Sequence, residues 1–132
     1  MEWSRYKHPC LFDQSLIPGL LLQIVRGDEK QRLAAADELW HVTAHQGNVG
    51  PSAVPTAGFL LEMLEEMPGS VQAAILEILF HFASYCKGES WSTELRSRFF
   101  GDLPLLKQLS VSTNQDVSEY SNMIIEKLQA DD

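Results

Sequence analysis

Apolar residues recur along this chain at intervals of three and four almost without a break, and no two-residue alternation persists between hairpin turns. The pattern predicts helices and nothing else. Proline and glycine set the boundaries at Gly27-Asp28, Gly47 to Pro51, Pro68-Gly69, Lys87-Gly88 and the polar run Ser110 to Asn114. The first helix is expected from near Ser15, with Pro18 in its opening turn, where a missing N–H does no harm. It runs through Leu20, Leu21, Ile24 and Val25 and stops at Gly27. Asp28 caps a second helix that packs through Leu33, Ala36, Leu39, Trp40 and Thr43 and ends by Gly47. A third starts after Pro51 and packs through Val54, Phe59, Leu60, Met63 and Leu64. The fourth, capped by Ser70, is apolar nearly all round from Val71 to Phe82, which assigns it to the middle of the fold. A broken fifth element spans Thr93 to Phe100 and Leu103 to Leu109. The last, capped by Asn114, presents Val117, Tyr120, Ile124, Ile125 and Leu128.

The helices come in pairs of one kind. Each opening helix starts alike: Ile17-Pro18 before Leu20-Leu21-Leu22, Val54-Pro55 before Phe59-Leu60-Leu61, and Leu103-Pro104 before Leu105-Leu106. The partner helices repeat as well, since Leu39-Trp40-His41-Val42 matches Leu79-Phe80-His81-Phe82 in character, 40 positions on. Three helical hairpins, over about 15–47, 51–87 and 92–130, fall in the spacing of helical solenoid repeats. The expected architecture is therefore all-α, a right-handed α-solenoid of about three hairpins forming one domain over 1–132.

A proline at the head of the first helix, a Leu-Leu stripe, a turn and an Ala-rich second helix, best seen from Val54 to Ala83, resemble a HEAT or armadillo-type repeat. The segment Leu39 to Val49, followed by Phe59-Leu60-Leu61-Glu62-Met63-Leu64, resembles more narrowly a group of small bacterial HEAT-like proteins with a His-Gln-Gly turn. The resemblance implies a helical protein-binding solenoid, and comparable helical proteins serve as immunity partners of bacterial toxins. The chain departs from the repeat pattern in one respect: the Arg expected early in the second helix is matched at Arg32, while Gln72 and Ser118 stand at the later counterparts. The third pair is degenerate, as terminal repeats often are.

Composition narrows the class of partner. With 132 residues the chain can bury a sizeable core without disulfides or a structural metal. Its net charge of −8 speaks against a nucleic-acid-binding module, which needs a basic face, and favours a basic protein partner. The two cysteines, Cys10 and Cys86, have neither disulfide-framework nor zinc spacing around them. Met1 to Cys10 hold no apolar stretch of signal-peptide length, and no run approaches the roughly 18 apolar residues of a membrane span. A cytoplasmic, reduced setting with no membrane contact is the expectation.

Few residues suggest chemistry. His41 and His45 share a helix face, and His81 occupies the equivalent place on the neighbouring helix, so a metal-dependent enzyme built on these three is one alternative. Against it, Val42 stands where a metalloprotease helix keeps its general base, and a histidine at a helix C-terminus commonly serves as a cap. No nucleophile elbow, paired facing carboxylates or phosphate-binding loop occurs, so the reading is non-enzymatic with no cofactor. The more informative feature is a stripe: Ala34, Glu38, His41 and His45 on the second helix correspond to Ala74, Ile78, His81 and Tyr85 on the fourth, flanked by Asp37 and Glu77. Stacked second helices bring His41 beside His81 and His45 beside Tyr85. Two readings stand, a partner-binding ridge of Asp37, Glu38, His41, His45, Glu77, His81 and Tyr85, or inter-repeat packing by the same residues. Glu62, Glu65 and Glu66 read as a solvated face. Trp3, Tyr6 and Trp91 read as end caps or interface anchors, and Cys86 as a packed thiol. The specific functional expectation is an immunity protein that occludes a basic toxin, with a general adaptor as the alternative.

Overall fold

A computed structural model describes residues 14–44, 49–86 and 88–130. Among them lie seven α-helices: α1 (Ile17–Arg26), α2 (Glu29–Ala44), α3 (Ala53–Leu64), α4 (Gly69–Tyr85), α5 (Ser92–Gly101), α6 (Leu103–Leu109) and α7 (Gln115–Ala130). The described residues form no strand, and the fold is all-α. No described helix is long and apolar enough to cross a membrane.

Local chemistry explains most of the boundaries. Pro18 and Pro104 sit in the first turns of α1 and α6, where no intrahelical donor is lost. Asp28 and Gln31 form a reciprocal cap at the head of α2: Asp28 Oδ1 accepts from the Gln31 N–H at 2.8 Å, and Gln31 Oε1 accepts from the Asp28 N–H at 2.9 Å. At α7 the Asn114 carboxamide oxygen accepts from the Val117 N–H at 3.2 Å. Ser70 is not the cap expected of it. Pro68 takes that position, α4 starts at Gly69, and the Ser70 hydroxyl donates instead to Glu29 Oε1 at 3.0 Å, joining the heads of α2 and α4.

Two runs of contact order the helices. One passes from α2 to α4 to α7, the other from α1 to α3 to α5, with α1 against α2, α3 against α4 and α6 against α7. The apolar helix α4 lies between α2 and α7 and buries Val71, Ile75, Leu76, Ile78, Leu79 and Phe82, as its all-round hydrophobicity requires. Each such side chain contributes roughly 1.5–3 kcal/mol of transfer free energy. All seven helices send buried residues into one continuous core. Gln14 pins its edge: buried ahead of α1, it donates through Nε2 to the Val42 carbonyl at 3.0 Å and accepts from the Ser52 hydroxyl through Oε1.

One position expected to pack faces outward. Phe59 is 46% exposed, while Leu60 and Leu64 of the same helix are buried. A stripe of three or four apolar residues per two turns covers less of a helix than the run of apolar letters suggests.

Candidate functional site

Adjacent residues on a helix diverge by about 100°, so Trp40 and His41 point to neighbouring sectors of α2 and Phe80 and His81 do the same on α4. Packing of α2 on α4 and α4 on α7 brings these sectors into one aromatic lane. The Trp40 ring lies 5.2 Å from His41 and 5.3 Å, edge-on, from His81. His81 in turn lies 6.0 Å from Phe80 and stacks at 5.9 Å on Tyr85, and Phe80 reaches Tyr120 of α7 at 6.5 Å. These separations are those of favourable aromatic pairs. The expected closeness of His41 and His81 takes a different form, because the α2 ring in contact with His81 is Trp40. His81 Nδ1 lies 2.9 Å from the Glu77 carbonyl, which can only accept, so the neutral imidazole carries its proton there and leaves Nε2 with its lone pair.

Carboxylates flank the lane. Asp37 and Glu77, paired in sequence register, line one slot of about 210 Å³ between α2 and α4, together with Leu33, Ala36, Trp40, Ala74 and Ile78. Asp37 Oδ2 is 3.8 Å from His41 Nε2, an ion pair when the imidazole is protonated. At the far end, burial pushes the Tyr120 phenol above its ordinary pKa, and the carboxylates of Glu77, Asp116 and Glu119 push in the same direction. The Trp40 indole N–H is buried with no acceptor among the described residues.

The predicted ridge is therefore partly assembled. His41 and His81 meet through Trp40, Asp37 and Glu77 share a slot, and Tyr85 stands half exposed at 51% against His81. Glu38 is exposed on α2. His45 lies outside the described residues, as do Trp3, Tyr6 and Cys10. No group of three His, Cys, Asp or Glu side chains among the described residues is placed to hold a metal ion. Cys86 is buried, its thiol 3.7 Å from the Ala83 carbonyl, and Trp91 packs against the core at its edge.

Sequence reasoning missed Phe80 and Tyr120 as members of the lane and treated Trp40 as core. The spacing held a signal, since Phe80 stands 40 positions after Trp40 and Tyr120 another 40 on. It also missed a larger open groove of about 1080 Å³ between α3 and α5, lined by Phe59, Gly58, Glu94 and Gly101 among others. Arg98 crosses this groove and is held there, with Nε 3.0 Å from Asp102, a second nitrogen 3.3 Å from the Gly58 carbonyl and the same nitrogen 3.7 Å from Glu62. Glu62, Glu65 and Glu66 are exposed, as expected of a solvated face.

Compared with known proteins, the chain matches no family model, no curated protein and no solved structure.

Proposed function

We propose that this chain is a non-enzymatic protein-binding module, a right-handed solenoid of three hairpins of HEAT or armadillo kind, whose α2, α4 and α7 surface grips a basic partner. The observation that carries the reading is the lane Trp40, His81, Phe80 and Tyr120, which crosses three helices and is flanked by Asp37, Glu77, Asp116 and Glu119. Half-buried aromatics give large contact area at low entropic cost, and a carboxylate rim steers a cationic surface toward them. Support for the solenoid is the contact order α2 to α4 to α7 beside α1 to α3 to α5. The partner-binding set is Asp37, Glu38, His41, His45, Glu77, His81 and Tyr85, extended by Trp40 and Tyr120.

In its specific form the module is a cytoplasmic bacterial immunity protein that neutralises a cognate basic toxin by covering its active site. The acidic charge and the resemblance of Leu39 to Leu64 to small bacterial HEAT-like proteins support this form. Co-expression with a basic toxin polypeptide, where one is encoded immediately upstream, tests the assignment. Growth protection by the wild-type chain is expected, with loss of protection on Asp37→Lys/Glu38→Lys/Glu77→Lys. Equal protection by the triple variant rejects this surface.

A further inference from the structure

We infer that the slot between α2 and α4 is an anchor site for a single arginine side chain of the partner, an inference that rests on the protein-binding reading and names the group it engages. The slot's volume of about 210 Å³ falls below the roughly 300–1,000 Å³ of small-molecule sites and suits one long side chain. Its lining is of three kinds. Leu33, Ala36, Ala74 and Ile78 are apolar, Asp37 and Glu77 supply one carboxylate from each helix, and Trp40 supplies an indole.

A guanidinium side chain uses all three. Its methylene stem lies along apolar walls, its flat cation lies against the indole, and its five fixed donors can serve carboxylates on both sides at once. Lysine offers the stem and the charge but no plane. An anionic group meets two carboxylates of its own sign, and an apolar side chain covers them without pairing them. Two other titratable groups lie near the slot carboxylates, His41, 3.8 Å from Asp37, and the Tyr120 phenol of α7, which burial and Glu77 hold toward its neutral form, so the site is strongest when the His41 imidazole is neutral and the phenol keeps its proton.

The test is a nitrogen-15 NMR titration at about pH 8, above the ordinary histidine pKa, and at low salt. The probe is N-acetyl-arginine amide, and the reporter is the Trp40 indole N–H, assigned by its absence in Trp40→Phe. A saturating shift is expected, weakened at least about tenfold by Asp37→Asn or Glu77→Gln in variants whose helical circular dichroism is unchanged, as loss of a charge-assisted hydrogen bond predicts. N-acetyl-citrulline amide, uncharged and of the same shape, is expected to leave the resonance in place. The assignment is overturned by an equal response to citrulline or to N-acetyl-lysine amide, by variants that titrate like the wild type, or by no saturating shift with the arginine probe. The probe needs no partner protein, so the two readings fail separately. No response at Trp40 while partner contacts still map to α2, α4 and α7 removes the anchor alone. A saturating response with no partner contact on those helices upholds the slot and removes the protein-binding reading.

Discussion

Tyr120 is the residue at which burial and charge act together. Desolvation is the larger cause of its raised pKa, followed by Glu77, Asp116 and Glu119. The unfolded phenol ionises at its ordinary value near 10, so the stability tied to Tyr120 is intact below about pH 10 and falls as pH climbs through the raised value. Phenolate absorbance should show a component titrating above the ordinary phenol pKa. Tyr120→Phe should remove that component, and Glu77→Gln should lower it without restoring the ordinary value, since burial remains. Persistence of the raised component in Tyr120→Phe would contradict the assignment. Trp40 makes the second residue-scale prediction. It touches His41 and His81 and lines the slot, so Trp40→Ala should cost about 2–3 kcal/mol, near the low end for a large aromatic because the ring is only partly buried. Thermal unfolding checks it. A loss under about 0.5 kcal/mol, the usual size for an open surface site, would mean that the ring is not packed.

At the scale of the element, the heads of the helices carry the sharpest expectations. Asp28→Ala removes half of the reciprocal cap on α2 and should cost about 1 kcal/mol. Gln14→Ala leaves the Ser52 hydroxyl and the Val42 carbonyl buried without their partner and should cost about 1–3 kcal/mol. Gly27→Ala should destabilise for lack of space: a Cβ there would stand 2.8 Å from the Gln23 carbonyl oxygen and 2.8 Å from Gln31 Cβ. Denaturant unfolding ranks all three, and an unchanged midpoint for any of them contradicts the contact it removes. The caps at Asp28 and Asn114 were legible in the sequence because both residues bond to backbone within their own turn. Ser70 and Gln14 were not. What they bond to lies 41, 28 and 38 positions away, and helical periodicity carries no information at that range. Phe59 failed for a related reason, since local pattern says which residues are apolar but not how wide a face the neighbours cover.

At the scale of the molecule, Trp40, Phe80 and Tyr120 stand 40 positions apart in the sequence and lie in one lane, and α2, α4 and α7 pack in that order. The sequence led to His41, His81, Asp37 and Glu77 by that register but put His41 where the Trp40 ring makes the contact, because a one-residue difference along a helix rotates a side chain by about 100°. The −8 charge divides accordingly. Asp37 and Glu77 line the slot, and Glu77, Asp116 and Glu119 act on Tyr120. Glu62 and Glu65 lie elsewhere and pair within the chain, with Arg98 and Gln108. Association with a basic partner should therefore slow as salt rises, and charge reversal at the slot should slow it more than reversal at Glu65 and Glu66. The most direct test is affinity capture from the native host with immobilised wild-type chain, beside Asp37→Lys/Glu38→Lys/Glu77→Lys and Glu65→Lys/Glu66→Lys columns of equal thermal stability. A basic polypeptide held by the wild type and by the Glu65/Glu66 variant, and lost from the slot variant, is the predicted result; the same polypeptide held equally on all three columns would contradict it.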